Sequence, residues 1–485
     1  MTSSQLIADL VLMTPELILA IGAMATLLIG VYWKSELGGA RMAMRIAFGL
    51  LIAGGAGAIW LAQGQGGTAF FAAFIADPFS LYAKTAVFLA AAVALLLASR
   101  YLETENLARF EYPVLILLAA LGMAIMVSAN DMITLYLGLE LQSLSLYILA
   151  AFNRDSLRSS EAGLKYFLLG ALSSGLLLYG ASLIYGFAGT TGFEGIAIAA
   201  AQDGTNVGLL FGLVFVISGL AFKISAAPFH MWTPDVYEGA PTPVAAFFAT
   251  APKLAAMALL ARVLTEPFGP MIDDWRQVII VLAILSMAIG SFGALMQTNI
   301  KRLMGYSSIG NVGYALVGLS SGTQLGVWAV LLYFTLYIIG VAGAFAVILS
   351  MRRSEGMVER IEDLAGLSQS RQGLALAMTA LMFSIGGMPF LVGFFGKFFV
   401  FYAAVEAGLI WLVVLAVLFS TVSIAYYLRV VKVIWFDEPA GGEFLPAPAG
   451  VAFVSRAAGL ATVALLPFMV IIIGLVVNAG GSIGG

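Results

Sequence analysis

The chain has 485 residues, of which 61% are hydrophobic and only 10% are charged, and its net charge is −3 at pH 7. Soluble domains carry about 25% charged residues, so this composition indicates an integral membrane protein. The sequence contains no cysteine and one histidine. This excludes disulfides and cysteine-ligated iron–sulfur clusters and argues against a histidine-ligated haem. If the protein takes part in redox chemistry, its partners hold the electrons.

Fourteen apolar runs are long enough to cross about 30 Å of hydrocarbon as helices of about 17 to 25 residues. They begin near residues 11, 43, 79, 112, 131, 162, 208, 241, 275, 301, 324, 373, 406 and 452. No loop between them is long enough for a soluble domain, so we predict one all-α polytopic membrane domain over residues 1–485. The N-terminus lacks the basic region of a cleavable signal peptide, so we expect the first segment to be retained.

The basic residues predict the orientation, because cytoplasmic loops carry an excess of Lys and Arg. Most of the 23 basic residues fall in loops that follow odd-numbered segments, whereas only Arg262 and Arg276 fall in loops after even-numbered segments. Both termini are therefore predicted to lie outside, with odd-numbered segments running inward.

An internal repeat relates the seventh and twelfth segments. "FKISAAPF" at 222–229 and "FSIGGMPF" at 383–390 share the pattern F-x-I-x-x-x-P-F. Since they lie five segments apart, the two copies must cross in opposite directions, as in many transporters. We predict inverted five-helix repeats over segments 4–8 (residues 111–265) and 9–13 (275–436). A three-helix segment (1–110) precedes them, and a loop with the last helix (437–485) follows.

Pro228 and Pro389 lie in these motifs, and proline removes a backbone donor and clashes with the preceding turn. Discontinuous helices are therefore predicted at segments 7 and 12. One such motif alone is equally consistent with a packing kink, because proline is common in membrane helices. Two matched motifs favour a transport site at the repeat interface.

Four charged residues are predicted to lie deep within segments: Glu140, Lys223, Lys253 and Lys397. Glu140 is nine residues into its segment, which is about 14 Å along a helix. Such charges are costly in a bilayer and indicate function. Burial disfavours a charged lysine and a nearby carboxylate favours it, so making and breaking a Glu140–Lys223 pair would move a proton.

Three other charged or titratable residues have simpler interpretations. Lys84, near the outer end of segment 3 and close to Asp77, is expected to extend its ammonium group to the interface. Lys165, beside Glu161, is as consistent with a cytoplasmic anchor as with a functional role. His230 is consistent with a structural histidine near the break, since one histidine without neighbouring ligands builds no metal site.

At this point the sequence resembles a known family. "FKISAAPFHMWTPDVYEGAPTPVAAFFATAPKLAA" at 222–256 and "NIKRLMGYSSIGNVGYALVG" at 299–318 are similar to the signature regions of the antiporter-like membrane subunits of bacterial complex I, the proton-pumping NADH:quinone oxidoreductase. The resemblance runs from about residue 10 to the end, and within the family it is strongest to the subunit N branch. It implies fourteen helices, two inverted repeats, and buried charges along a hydrated axis.

The resemblance also implies roles for the buried charges. Glu140 and Lys223 would be the coupled pair, Lys253 the central relay, and Lys397 the terminal proton-transfer residue. The subunit M branch usually has a glutamate where Lys397 stands, and the subunit L branch adds a long lateral helix for which this chain leaves no room.

Supporting roles are implied for two further residues. Lys165 would be an auxiliary charge, and His230 would assist between the half-channels. One position departs from the family, because many relatives have a histidine where Asn311 stands. Asparagine can hold a water chain but does not titrate, which puts a proton-binding role there in doubt.

The resemblance further implies the partners and location. The location would be the bacterial inner (plasma) membrane. The partners would be a neighbouring antiporter-like subunit, small membrane subunits, lipid, water and protons, and no nucleic acid would be bound. This chain would bind no cofactor or metal, while FMN, iron–sulfur clusters and quinone would lie in partner subunits. Two alternatives stay open: an Mrp-type monovalent cation/proton antiporter subunit, and a purely structural membrane anchor.

Overall fold

A computed structural model of the chain describes residues 3–64, 66–202, 206–439, 442 and 444–483. The longer helices, in chain order, are α1 (Ser3–Leu12), α2 (Thr14–Tyr32), α3 (Glu36–Leu61), α4 (Pro78–Thr104), α5 (Glu111–Val127), α6 (Met132–Ala150), α7 (Leu157–Ala188), α8 (Phe193–Ala200), α9 (Val207–Ile224), α10 (Trp232–Gly239), α11 (Thr242–Phe248), α12 (Ala251–Thr265), α13 (Ile272–Leu295), α14 (Ile300–Leu319), α15 (Gln324–Leu349), α16 (Leu367–Ser370), α17 (Gln372–Gly386), α18 (Val392–Glu406), α19 (Ile410–Phe436), α20 (Ala449–Ala464) and α21 (Met469–Gly480). The described residues also form two small antiparallel hairpins, β1 (Gly67–Ala69) with β2 (Phe74–Ala76), and β3 (Arg352–Arg353) with β4 (Gly356–Met357). Three short 3₁₀ helices lie at Gly269–Met271, Ile361–Leu364 and Leu466–Phe468.

The predicted all-α polytopic fold is confirmed. Ten spans within the described residues are long and apolar enough to cross a membrane, and the bent pair α20–α21 would be an eleventh. The shorter apolar helices α5 and α17 and the helix α14 occupy predicted segments 4, 12 and 10. Each of the fourteen predicted segments therefore coincides with one helix or with two consecutive helices.

Both predicted helix breaks are present. In segment 7, α9 ends at Ile224 and Ser225 adopts a left-handed conformation with φ of 66°. In segment 12, α17 ends at Gly386 and is followed by Gly387 with φ of 84°. A short interruption, which we did not predict, separates α11 from α12 within the single span Thr242–Thr265 of segment 8, and Pro252 lies in the first turn of the second helix. Proline is favoured in a first helical turn because the backbone N–H there has no partner within the helix.

Within each half, glycine residues bring neighbouring helices close together. A Cβ atom added to Gly122 of α5 would lie 2.4 Å from the backbone nitrogen of Gln142 on α6. A Cβ atom added to Gly290 of α13 would lie 2.3 Å from the backbone nitrogen of Gly310 on α14. Only glycine permits such approaches, which are typical of membrane helix pairs. These contacts position α6, which carries Glu140, and α14, which carries Asn311.

Candidate functional site

Lys223 and Glu140 lie close together but are joined through a serine. The ammonium Nζ of Lys223, which is 6% exposed, donates hydrogen bonds to Ser143 Oγ at 2.8 Å and Tyr147 OH at 3.3 Å. Ser174 Oγ lies 3.5 Å from the same Nζ and donates a short hydrogen bond to Glu140 Oε1. Within the described residues no acidic side chain forms a direct ion pair with Lys223. Ser174 is therefore the bridge between the two charges.

Lys253 contacts the end of the helix that carries Lys223. Its Nζ donates to the carbonyl oxygen of Ile224 at 3.1 Å and to Ser225 Oγ at 2.9 Å. Ile224 is the last residue of α9. The carbonyls that end a helix lack partners and carry partial negative charge, so a cation is favoured there. The break thus provides the acceptor that a buried ammonium group needs.

Lys397 has the same relation to the second break. Its Nζ donates to the carbonyl oxygen of Gly386, the last residue of α17, at 2.8 Å. A second hydrogen bond reaches Ser420 Oγ at 2.9 Å, and the ring of Tyr314 lies 4.4 Å from the ammonium group. Lys253 and Lys397 therefore make the same kind of contact, since each binds the terminal carbonyl of a broken helix, although Lys253 lies on the following segment and Lys397 on the second half of the broken segment itself.

Polar groups without partners lie between the two halves. Tyr237 OH and Ser308 Oγ are fully buried, and among the described residues neither forms a hydrogen bond of good geometry. The ammonium group of Lys253 lies 5.9 Å from the ring of Tyr237, and Ser308 faces both Tyr237 and Tyr337. A buried hydroxyl without a partner calls for an explanation such as ordered water. Sequence reasoning missed these residues, because single hydroxyls in apolar helices are common packing elements.

Asn311 connects this region to Lys397. It accepts a hydrogen bond from Tyr333 OH at 2.6 Å and donates one to the carbonyl oxygen of Ser307 at 2.7 Å. A cavity of about 20 Å³ is lined by Asn311, Tyr333, Tyr337 and Lys397, among others. That volume has room for about one water molecule. The amide is thus held firmly beside the lysine.

Lys165 lies apart from this buried row. Its side chain is 44% exposed and forms ion pairs with Glu161 at 2.7 Å and Asp235 at 3.0 Å. Arg302 also pairs with Asp235, at 2.6 Å. These residues form a charged network at the end of α10, consistent with an anchor.

Glu359 belongs to the same region and pairs with Lys301 at 2.8 Å. It lies in the loop after β4, outside the helices. Burial alone would raise its pKa, but Lys301 and a hydrogen bond from Asn299 hold the pKa of this carboxyl below its usual value. Glu359 is therefore a charged carboxylate at neutral pH.

His230 and the two prolines lie on the outer surface of the breaks. Pro228 and Pro389 are exposed, and His230 is partly exposed. The buried Nδ1 atom of His230 accepts and donates no hydrogen bond of good geometry in the part of the chain that the structure describes. The hydrogen bonds found for Lys223 and Lys253 do not involve His230.

The expectation for Lys84 is wrong. Lys84 is fully buried and forms an ion pair with Glu16 of α2 at 2.7 Å, so its ammonium group does not extend to the interface. Glu16 is only 1% exposed and was not identified from the sequence. The partner lies on another helix, so no local pattern reveals the pair.

The assignment of Arg262 to an outer loop is also wrong. Arg262 lies within α12, is fully buried, and donates two hydrogen bonds to the carboxylate of Asp77, at 2.7 and 2.8 Å. It also pairs with Glu266 at 2.9 Å. Arg276 donates hydrogen bonds to the carbonyl oxygens of Ser320 and Ser321 just beyond the end of α14.

Comparisons with known proteins place the chain in a family. Residues 129–423 match the family model described as "NADH:quinone oxidoreductase/Mrp antiporter, TM". The chain is 62% identical to NADH-quinone oxidoreductase subunit N of Maricaulis maris, over 97% of each chain. It is similar to a chain of respiratory complex I from Thermus thermophilus, with a TM-score of 0.81, 32% identity, and coverage of 95% of this chain and 98% of that one. A chain of the Mrp complex from Dietzia has the same fold, with a TM-score of 0.85, 22% identity and 98% coverage of both chains.

Proposed function

Because the chain belongs to the NADH:quinone oxidoreductase/Mrp antiporter membrane-subunit family, we propose that it is a proton-translocating subunit of complex I, of the subunit N type. It couples electron transfer from NADH to quinone, which takes place in partner subunits, to proton movement through the partly buried Glu140 and the buried residues Lys223, Lys253 and Lys397. FMN, the iron–sulfur clusters and quinone belong to those partners. This chain supplies the membrane path and no redox centre.

The observation that carries this proposal is the placement of Lys253 and Lys397 on the terminal carbonyls of two broken helices. A buried ammonium group is costly unless acceptors surround it. Among the described residues, each of these ammonium groups has only two hydrogen-bond acceptors. The charged form of each lysine is therefore stabilised only in part, and its free energy lies close enough to that of the neutral form for a proton to be gained or lost. A group that only held the fold together would be replaced by an apolar side chain at lower cost.

The proposed path begins at Glu140, passes Ser174 to Lys223, and continues to Lys253 at the same helix break. Hydroxyl groups both donate and accept hydrogen bonds, so Ser174 can relay a proton between a carboxylate and an ammonium group. The path is a series of short transfers between neighbouring groups.

From Lys253 the path continues through Tyr237, Ser308 and the cavity beside Asn311 to Lys397. Water molecules complete this part, since the unpartnered hydroxyl groups supply the two to four polar partners that a buried water needs. Asn311 orients water without changing its own charge. Lys165 and His230 act as supporting residues at the edges of this path.

We propose the orientation and domain limits from the distribution of basic residues and the repeat. Both termini lie on the periplasmic side of the bacterial inner membrane, and the charged network at the end of α10 lies on the cytoplasmic side. The inverted repeats comprise residues 111–265 and 275–436. The partners are the neighbouring antiporter-like and small membrane subunits.

Protons fit the site better than other monovalent cations. Three of the four central charges are lysines, and ammonium groups repel a metal cation. The described residues contain no group of three or more acidic or histidine side chains that could hold a metal ion. The alternative of an Mrp-type cation antiporter is therefore less well supported, although the fold is shared.

The test is proton uptake driven by NADH in vesicles that contain the assembled complex. Lys253→Ala and Lys223→Ala are expected to abolish most proton uptake, with normal assembly verified by copurification of the flavin and iron–sulfur subunits. Lys432→Ala, at a residue with 65% side-chain exposure, is the matched control and retains uptake. Full pumping by either buried-lysine variant would overturn the relay. Uptake that depended on sodium or potassium would favour the antiporter alternative.

A further inference from the structure

A groove outside the proton path combines basic and apolar residues. It has a volume of about 450 Å³ and lies between the first turns of α3, the last turns of α4 and the loop that follows α4. This volume is within the usual range of about 300 to 1,000 Å³ for ligand sites. Arg41, Arg45 and Arg109 line one end, and Met44, Phe48, Leu95 and Leu96 line the rest.

The charge is confined to one end of the groove. Arg41 and Arg45 are four residues apart, so they lie on one face of α3 about 6 Å apart along its axis. Phe48 lies about one turn further into the membrane on the same face. Leu95 and Leu96 of α4, which precede Glu103 by about two turns, lie at the corresponding depth. The groove is thus amphipathic along its length, as a phospholipid is.

The basic groups exceed the acidic groups that pair with them. Glu103 accepts hydrogen bonds from Arg41, at 2.6 and 3.0 Å, and from Arg100, at 2.6 Å. Arg109 pairs with Glu36. Within the described residues Arg45 has no ion-pair partner. Four arginines and two glutamates leave an excess of two positive charges, with Arg45 free to bind an anion.

We propose that this groove binds an anionic phospholipid, with its phosphate on Arg45 and Arg41 and an acyl chain along Phe48 and Leu95. Arginine binds phosphate well because its planar donors match the phosphate oxygens. Basic pockets between membrane helices are known to hold anionic lipid head groups. The excess of two charges favours a lipid with two phosphates over one with a single phosphate. This site is separate from the proposed proton path.

The test uses the assembled complex in phosphatidylcholine vesicles that contain a photoactivatable analogue of phosphatidylglycerol. After illumination, peptides from α3 and α4 are analysed for covalent lipid. We expect more labelling by this analogue than by the matching phosphatidylcholine analogue, and stronger competition from unlabelled cardiolipin than from unlabelled phosphatidylglycerol. Equal labelling by both analogues, or no labelling because a partner subunit covers the groove, would overturn the proposal.

Two variants test the two ends of the groove. Arg45→Gln is expected to lower labelling about fivefold, which corresponds to about 1 kcal/mol per basic residue. Met44→Trp fills the apolar part and is expected to lower labelling without changing the charge. Arg456→Gln is the control, because Arg456 is exposed on α20 and does not line the groove. Unchanged labelling in Met44→Trp would show that binding is only superficial and would overturn the proposal. Assembly is verified in each variant by copurification.

Discussion

The buried pair of Lys84 and Glu16 gives a quantitative prediction about stability. Lys84→Met removes the ammonium group but keeps an apolar stem of similar length. Glu16, which is 1% exposed, then loses its only ion-pair partner within the described residues. We expect the single variant to be destabilised, and we expect Glu16→Gln combined with Lys84→Met to recover most of the loss.

The magnitude follows from the distance between the charges. At 2.7 Å and an effective dielectric constant of about 20, the attraction is about 6 kcal/mol. Desolvation costs several kcal/mol for each ion and offsets most of this attraction. The intact pair therefore contributes little net stability, whereas removal of one partner costs about 3 to 5 kcal/mol. In Lys84→Met the loss of the ring contact with Phe74, 4.6 Å from the ammonium group, adds about 0.5 to 2 kcal/mol.

The assay is a double-mutant cycle that measures how much of the subunit stays in the complex after graded heating. The four proteins are the wild type, the two single variants and the double variant, and Lys34→Met at an exposed residue serves as the control. The reasoning would be refuted if both single variants withstood heating as well as the wild type. It would also be refuted if the double variant were as unstable as the two losses added together.

Three further predictions concern the proposed path and the charged network. Gly387 has φ of 84°, and a Cβ added to it would lie 2.6 Å from Lys397 Cδ. Gly387→Ala should therefore be destabilised by about 1 to 2 kcal/mol and should pump fewer protons. The control Gly373→Ala should be unaffected, because a Cβ added there meets no described atom within 4 Å. Tyr333→Phe leaves the Asn311 oxygen without its 2.6 Å donor, so NADH-driven proton uptake should fall about tenfold, whereas the exposed Tyr402→Phe should retain normal uptake. The pKa of Glu359 is lowered in the fold, so its contribution to stability is complete above the ordinary carboxyl value of 4.5 and is lost as the pH falls through the lower folded value. Thermal stability measured against pH should fall at acid pH in the wild type and in the control Glu362→Gln. Glu359→Gln should be less stable at neutral pH and should lose less stability as the pH falls.

The features that could be predicted from the sequence are those with a local cause. Apolar runs predicted all fourteen segments, and the matched prolines predicted the breaks near Pro228 and Pro389. The break in segment 8 was missed because Pro252 resembles an ordinary proline within an apolar run. Lys253, the next residue, reaches the end of α9, and this contact between different helices has no local sequence signal.

The features that could not be predicted depend on which helices pack together. Glu16 stands near the start of α2, where an acidic residue is unremarkable, and only packing against α4 brings it to Lys84. Ser174 likewise becomes a bridge only because α7 places it between Glu140 and Lys223. The number of helices can therefore be predicted from one chain, but the partners of the buried charges cannot.

The hydrogen bond from Lys253 to Ile224 makes the end of α9 sensitive to charge on α12. A hydrogen bond from an ammonium group is roughly twice as strong as one from a neutral amine. In the proposed path Lys253 gives up its proton, and the turn just beyond Lys223 would then be held less tightly. Thermodynamic linkage requires the reverse effect as well, so a shift of that turn changes how readily Lys253 takes up a proton. Lys223 and Lys253 can thus influence each other's protonation through the backbone turn between them. This coupling needs no direct contact and adds to the repulsion between the two like charges.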